Sequence, residues 1–451
     1  MSEAGQRALA RTGTARALHL LDRVHAWRAR RSPAAVGTPQ ALAWMVAIAT
    51  LFVLMSNPLV LLPNFFAALD RAIDVTWVIC LVTLPWLRLP LVSIPVGLFM
   101  AFAGLTTLWS ISEVETRGST QMYVHIALIA LLAAANTRTA VLCHGVTLGG
   151  VAVVVLSYWA QLTGRMPPTE DGFLAGIGTN RNILAYTLVL ALCFALAAVP
   201  RSTWGRVLWG LSLATILLGI YLAGSGTATA AAPALILVAL ALRLSRRQIG
   251  SSTLPRLSRR GWTAVWSVLL LASATLSVRP DLLGRLLGRD STTLSGRVPF
   301  WRATLEELDD RVLQGYGWGT VWPHPWQPAW PNNVFDRIYF NAGYQLTHGH
   351  NSLIDLAPQV GLIGILAYLT IMAGGLRATL LVFRSPQPGP DDEVTARLAV
   401  LAVLGLVLCG ITEPLSTIPL GWFCLVMVAG VAARTAREVR AARREGELAS
   451  T

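Results

Sequence analysis

The chain alternates between long apolar stretches and short polar turns, a pattern that predicts a bundle of membrane-spanning helices. A helix needs about 20 apolar residues to cross a bilayer, and about twelve stretches of this chain meet that requirement. Pro85, Pro90 and Pro95 interrupt the second and third of them. The predicted spans are residues 42–63, 75–88, 91–110, 120–137, 139–162, 182–199, 204–223, 226–243, 262–278, 353–382, 394–412 and 414–433.

The composition favours a membrane protein and argues against a soluble enzyme. Hydrophobic residues fill 54% of the 451 positions and charged residues 13%, with a mean hydropathy of +0.57. About a quarter of the residues in a soluble domain are charged. The 36 basic residues, all of them Arg, outnumber the 23 acidic ones. Most Arg lie in the two terminal segments and in turns on the same side, so the positive charge indicates cytoplasmic termini and no nucleic-acid partner.

The order of the spans divides the chain into five parts. An Arg-rich cytoplasmic segment covers residues 1–41, spans one to nine cover 42–278, an extracytoplasmic loop covers 279–349, spans ten to twelve cover 350–433, and a cytoplasmic tail covers 434–451. The loop between spans nine and ten is far longer than a helix hairpin needs, and loops of that length are usually functional. The sequence therefore directs the search for a site to the outer face of the cytoplasmic membrane.

One group of candidate residues frames the long loop: Arg297, Trp301, Tyr316, His350 and Asn351. Ser295 is expected to cap a helix on which Arg297 and Trp301, four positions apart, share a face. His350 stands where the loop re-enters the membrane. The unperturbed pKa of histidine is about 6.5, so His350 can act as a general base near neutral pH. A purely structural hydrogen bond at the membrane interface is the competing explanation.

A second basic group, Asn180, Arg181 and Asn182, is predicted at the outer end of the sixth span. A guanidinium group presents a planar fork of donors that suits phosphate oxygens, and the two amides add neutral donors. An Arg that snorkels to lipid headgroups is an equally good explanation. Glu413, at the outer end of span eleven, is expected either to pair with an active-site Arg or to face water, and the pairing is favoured.

Aromatic and histidine residues of the loop raise two further questions. Trp322, Trp326 and Trp330 alternate with Pro and are expected to line an extended loop, where they either stack on sugars or form an outer aromatic belt. His324 and His348 share the loop with His350, but no acidic triad or Cys accompanies them, so no metal site is predicted. His125 and His144 lie within predicted spans that contain no acidic partner, and structural burial is expected for both.

Two segments then point to a family. SGRVPFWRATLEELDDRVLQGYGWGT at 295–320 and HNSLIDLAPQVGLIG at 350–364 resemble the characteristic region of the O-antigen ligase and polymerase superfamily of membrane glycosyltransferases. GTNRN at 178–182 fits the same family, whereas Gln359 stands where an acidic residue is common. The resemblance implies an all-helical, GT-C-like fold. It also implies transfer of a glycan from an undecaprenyl-type diphosphate lipid to a glycan or lipid acceptor outside the cytoplasmic membrane.

Position by position, the resemblance implies roles for individual residues. His350 corresponds to the catalytic base, Arg297 to a diphosphate-binding Arg, and Arg181 to a position that is commonly basic. Gly226 departs from the pattern, because it replaces a family Arg that is thought to hold the donor diphosphate. Three explanations remain open: Arg181 or Arg289 compensates, the donor differs, or the activity is impaired.

The chemistry of such a transfer suits these residue types. The diphosphate leaves the anomeric carbon with growing negative charge while the acceptor hydroxyl loses a proton. Arg donors stabilise the first change and a positioned His assists the second, so no metal or other cofactor is required and inversion is expected. A transporter or flippase of lipid-linked glycans is the alternative, but the sequence shows no internal repeat and almost no midspan charge. A non-catalytic scaffold is a third interpretation.

Overall fold

The part of the chain that the structure describes is helical throughout. This computed structural model describes residues 38–61, 65–83, 87–88, 93–247, 296–323, 333–343, 346–384, 388–415 and 417–449, and no strand occurs within these ranges. The helices are α1 Thr38–Met55, α2 Phe65–Thr83, α3 Ile94–Leu105, α4 Glu113–Asn136, α5 Thr139–Leu162, α6 Arg181–Ala197, α7 Thr203–Ala223, α8 Gly226–Arg247, α9 Arg297–Glu306, α10 Asn333–Ala342, α11 Ser352–Arg384, α12 Pro390–Gly410 and α13 Pro419–Ala449.

The observed helices overlap the predicted spans. The predicted span at 262–278 lies outside the described residues, and every other span coincides with a helix. Within the described ranges, eight helices are long and apolar enough to cross a membrane: α1, α4, α5, α7, α8, α11, α12 and α13. α3 and α6 are apolar but shorter. The all-α, multi-span class is thus confirmed, whereas the number of about twelve spans and the position of the long loop remain predictions.

Helices α6, α12 and α13 form the centre of the bundle. α12 packs on α6, α11 and α13, and α13 packs on α4 and α11. Nearly all side chains of α12 and of residues 419–435 are buried, whereas most side chains of α1 and α7 are at least partly exposed. The exposed residues of these outer helices are mainly apolar, as a lipid-facing surface requires.

An ion pair closes one end of the bundle, which we call the Arg434 end. The Arg434 guanidinium donates to the carbonyl oxygens of Ala134 and Thr137 at 2.6 and 2.5 Å and to the Asp391 carboxylate at 3.0 Å. Asp391 also accepts from the backbone N–H of Thr139 at 3.0 Å. These bonds join α4, α5, α12 and α13, and every charged group in them is matched by opposite charge or by oxygen acceptors.

A break in α11 shapes the opposite end, which we call the His350 end. Gly361 has φ 59° and ψ −167°, which is not a helical conformation. The backbone N–H of Leu362 donates to the Val312 carbonyl at 2.8 Å, and that of Tyr316 donates to the Pro358 carbonyl at 2.8 Å. A Cβ atom at Gly361 would lie 2.4 Å from the Leu313 backbone, so this close approach requires glycine. The glycine-rich segment after α9, residues 315–319, is thereby held against the first half of α11.

Candidate active site

Three ionisable side chains meet at the His350 end: Arg297, His350 and Glu413. Arg297 Nη2 donates to Glu413 Oε1 at 3.3 Å and lies 3.4 Å from His350 Nδ1. His350 Nδ1 lies 3.4 Å from Glu413 Oε2. All three side chains are mostly buried. The structure therefore brings together residues from the start of α9, the start of α11 and the turn between α12 and α13, and the pairing of Glu413 with an Arg is present.

The backbone at His350 is strained. Its φ is 45°, in the left-handed region that a non-glycine residue seldom adopts. The neighbouring Gly349 is fixed on both sides: its N–H donates to Asp355 Oδ1 at 2.8 Å, and its carbonyl accepts from Trp301 Nε1 at 2.6 Å. The ring of His348 lies 4.0 Å from the ring of His350, between centroids. Strain that the surroundings enforce at a reactive side chain is typical of functional sites.

Asp355 is a functional candidate that the sequence reasoning missed. It is fully buried in α11. Beside the bond to Gly349, its Oδ2 accepts from the Thr417 hydroxyl, and Gln359 Nε2 donates to its carbonyl oxygen at 3.0 Å. A signal was present, because a carboxylate inside a predicted span is a functional hypothesis by default. Asp355 thus connects the turn at His350 to the segment that carries Glu413.

Gln359, which stands where the resemblance predicts an acidic residue, connects two segments through hydrogen bonds. Its Oε1 accepts from the Gly319 N–H at 2.8 Å and its carbonyl accepts from the Gly317 N–H at 3.0 Å. An ionised acidic side chain could not donate to Asp355 as this amide does. Gln359 is therefore the central polar contact between the glycine-rich segment and α11.

Three predicted substrate-binding residues make hydrogen bonds within the protein, and their contact with substrate stays a prediction. Trp301 and Asn351 are buried, and the Asn351 side chain accepts from the N–H groups of Leu353 and Ile354 and so caps α11. Tyr316 donates from its hydroxyl to the Glu307 carbonyl at 2.7 Å. Burial, and then the Glu307 carboxylate, raise the pKa of the Tyr316 phenol, which keeps this donor protonated. Substrate contact by the three residues gains no support here.

The structure describes only some of the other residues predicted to act in the long loop. α9 begins at Arg297 with Gly296 as its N-cap residue, one position after the predicted cap. Trp322 is buried and donates from Nε1 to the Asp355 carbonyl at 2.8 Å, so it does not line an extended loop as predicted. Arg289, His324, Trp326 and Trp330 lie outside the described residues. Among the residues that are described, no group of His, Cys, Asp and Glu could hold a metal ion.

The second basic group lies at the start of α6. Asn180 caps the helix, since its side-chain oxygen accepts from the Asn182 N–H at 2.8 Å. The Arg181 guanidinium pairs with Asp171 at 3.2 Å and covers the ring of Phe173 at 5.0 Å. Arg397, in the first half of α12, donates to the carbonyl of Ala197, the last residue of α6, at 3.0 Å. The end of α6 therefore lies beside the beginning of α12. The start of α6, and with it Arg181, therefore lies at the His350 end.

A pocket borders Gly226, the position at which the resemblance predicts an Arg. It measures about 490 Å³ and is lined in part by Phe173, Gly224 and Gly226. The next residue, Thr227, accepts a hydrogen bond from the Thr412 hydroxyl at 2.9 Å, and Thr412 precedes Glu413. Phe173, whose ring the Arg181 guanidinium covers, also lines this pocket. Gly226 thus leaves space beside the site, and Arg181 lies at its edge.

Fold and site together define a multi-span helical membrane protein with an Arg, His and Glu cluster at one end. Residues 211–369 match the family described as O-Antigen ligase. The chain is also 26% identical over 341 residues to the exopolysaccharide production protein ExoQ of Rhizobium meliloti (strain 1021), a match that covers 74% of this chain and 75% of that protein. Both matches confirm the resemblance to the O-antigen ligase and polymerase family. The family match contains Arg297 and His350 and ends before Glu413.

Proposed function

We propose that this protein is an inverting, metal-independent glycosyltransferase. It moves a glycan from an undecaprenyl-type diphosphate lipid to an acceptor hydroxyl on the outer face of the cytoplasmic membrane. The convergence of Arg297, His350 and Glu413 carries the proposal. The family match and the name of the ExoQ relative support polysaccharide synthesis as the setting. Ligase and polymerase activities share this donor and differ only in the acceptor.

His350 is assigned as the general base. Its Nδ1 lies within 3.4 Å of a donor, Arg297, and of an acceptor, Glu413. Arg297 already donates to Glu413, so a proton on Nδ1 that points to Glu413 Oε2 satisfies both oxygens of the carboxylate. The lone pair then resides on Nε2, which accepts the proton of the acceptor hydroxyl. Glu413 also stabilises the imidazolium that forms, as a carboxylate does beside a catalytic histidine.

Arg297 and Arg181 are assigned to the leaving diphosphate. A guanidinium stays charged and offers up to five donors, so Arg297 can keep one contact to Glu413 and still bind phosphate oxygens. Arg181 lies at the edge of the pocket beside Gly226 and compensates for the family Arg at that position. Positive charge at the leaving group is the part of the reaction that a metal ion would otherwise supply.

Replacement of His350 tests the proposal. His350→Ala should lower glycan transfer about 100-fold or more, because general-base catalysis is worth at least that much. His144→Ala is the matched control, since it removes an imidazole from the first turns of α5, at the Arg434 end. Purified protein in liposomes, without an ion gradient, is given lipid-linked glycan and acceptor, and the joined product is measured by mass spectrometry.

Two outcomes of this assay would contradict the proposal. Equal losses in the two variants would show that His350 has no special role. Movement of the lipid across the bilayer without any joined product would instead favour the transporter alternative.

A further inference from the structure

Tyr186, in α6, is a buried side chain to which the proposed reaction assigns no role. Only 5% of its surface is exposed, and its hydroxyl makes no hydrogen bond to any residue that the structure describes. The hydroxyl of the next residue, Thr187, is fully enclosed, whereas that of Tyr186 retains accessible surface. A buried hydroxyl without a partner costs free energy and needs an explanation. A ligand atom that reaches this hydroxyl supplies one.

The packing of α6 on α12 fixes the height of Tyr186 in the bundle. The end of α6 lies beside the beginning of α12, and the Cys193 thiol donates to the Leu401 carbonyl at 3.2 Å, so the two helices run antiparallel. Tyr186 precedes Cys193 by seven residues and is therefore level with the seventh residue after Leu401, in the last turn of α12. Glu413 follows the end of α12 by three residues. Tyr186 thus lies just beneath Glu413.

The Tyr186 phenol is directed toward the His350 end. Long side chains in a helix lean toward its N-terminus, and α6 begins at the His350 end. The charge of Glu413 acts on the Tyr186 phenol, and this phenol in turn interacts with that of Tyr123 in α4. The Tyr123 hydroxyl donates to the Thr417 carbonyl. The two tyrosines flank the turn between α12 and α13, and of their two hydroxyls that of Tyr186 is left for a ligand.

We propose that Tyr186 binds the donor glycan: its hydroxyl donates a hydrogen bond to a hydroxyl group of the sugar that is bonded to the diphosphate. This contact rests on the proposed function, in which Arg181 binds the leaving diphosphate. Arg181 and Tyr186 are five residues apart on α6, about 7.5 Å along its axis, and the phenol leans toward Arg181. The sugar next to the diphosphate therefore comes within reach of the Tyr186 hydroxyl.

The charge of Glu413 favours a sugar hydroxyl over a phosphate oxygen as the partner of Tyr186. A carboxylate repels a phosphate, whereas it accepts a hydrogen bond from a neutral hydroxyl group. The contacts to Arg297 and His350 occupy only part of the four lone-pair sites of the Glu413 carboxylate. A sugar hydroxyl both accepts and donates, so it can accept from Tyr186 and donate to Glu413 at the same time.

Removal of the phenolic oxygen atom tests this contact. Tyr186→Phe keeps the ring and should raise the KM for the donor about fivefold, the loss expected for one neutral hydrogen bond, while the KM for the acceptor stays unchanged. The donor is the lipid-linked glycan that accumulates in cells from which the gene is deleted. It is given with acceptor to purified protein in liposomes, and initial rates of transfer are measured.

Tyr368→Phe is the matched control for Tyr186→Phe. Tyr368, in α11, is 2% exposed, and its hydroxyl also makes no hydrogen bond to the described residues. It lies 16 residues after Ser352, away from the Arg297, His350 and Glu413 cluster. Loss of this hydroxyl should leave both KM values at the wild-type level.

Binding without turnover separates the role of Tyr186 from the proposed function. In the His350→Ala background, Tyr186→Phe should weaken binding of the same lipid-linked glycan about fivefold, measured at equilibrium in nanodiscs. Normal transfer by His350→Ala would reject the proposed catalytic base, and the binding measurement would still decide the role of Tyr186.

Thermal unfolding in nanodiscs without donor distinguishes substrate binding from structural support. Tyr186→Phe should leave the midpoint unchanged or raise it, because the variant removes a buried hydroxyl that has no partner among the described residues. A lowered midpoint with unchanged donor affinity would show a structural role and overturn the proposal. So would a donor KM and affinity equal to wild type, a rise in the acceptor KM alone, or an equal rise in the donor KM for Tyr368→Phe.

Discussion

The two ends of the bundle each hold an Arg and a carboxylate, but the surroundings of the two pairs differ. At the Arg434 end, the guanidinium is surrounded by two backbone carbonyls, the Thr139 hydroxyl and Asp391, of which only the Thr137 carbonyl lies outside a helix. At the His350 end, Arg297 and Glu413 share a histidine that has a left-handed backbone. The first pair is surrounded by oxygen acceptors and holds helices together. The second joins groups that can exchange a proton, and it is built on turns and helix starts.

Substitution of Arg297 and Arg434 by Lys is expected to give the largest difference in the rate of glycan transfer between the two ends. Arg297→Lys keeps the charge but loses the planar fork, so transfer should fall about 100-fold or more, as it does when one transition-state donor is removed. The initial rate of glycan transfer, divided by the amount of folded protein in the membrane, measures this effect. Arg302→Lys, five positions later on the exposed side of α9, is the control and should keep the wild-type rate. Normal turnover of Arg297→Lys would exclude bidentate phosphate binding.

Asp355 tests whether residues that do not themselves react control the His350 end, because it contacts the turn at His350 only through hydrogen bonds to neighbouring residues. Asp355→Ala removes the acceptor for the Gly349 N–H and for the Thr417 hydroxyl, so the left-handed turn at His350 loses its support. We expect kcat to fall about tenfold, which corresponds to about 1.4 kcal/mol of barrier, with the KM for the donor little changed.

Asp355→Asn is the conservative variant for the same test. Its amide oxygen can still accept from Gly349, so it should recover part of kcat. A residue that only stabilises the fold would lower the thermal midpoint and leave kcat per folded molecule unchanged in both variants. That result would remove Asp355 from the positioning of His350.

The helices were predictable from the sequence, because long apolar stretches have few alternatives in a bilayer. The proximity of Arg297, His350 and Glu413 was also predictable, since His350 and Glu413 adjoin predicted spans at the same end and Arg297 lies in the loop at that end. What escaped prediction are contacts that depend on how helices pack. His125 finds Asp74 on another helix, and Trp322 reaches the backbone of Asp355 across a gap of 33 residues in the chain.

Local backbone geometry was the second feature that the sequence did not predict. The break at Gly361 and the positive φ of His350 arise from close contact with the segment after α9, which no periodic pattern records. Trp301 and Tyr316, which were predicted to bind substrate, are buried and donate to the carbonyls of Gly349 and Glu307, contacts that no pattern records either. A residue type that suits a ligand also suits a hydrogen bond to the neighbouring backbone, and only the packing distinguishes the two.

The smallest effect on activity is expected at the Arg434 end. A Lys at position 434 has one ammonium group and cannot reach Ala134, Thr137 and Asp391 together, so Arg434→Lys leaves buried acceptors unmatched. A loss of about 1–3 kcal/mol in unfolding free energy is expected, measured by thermal unfolding in nanodiscs. Transfer per folded molecule should stay within about twofold of wild type, because no reacting group contacts this end. If Arg434→Lys instead lowered turnover as strongly as Arg297→Lys without loss of stability, both ends would take part in the reaction, and the division between a structural and a chemical ion pair would be wrong.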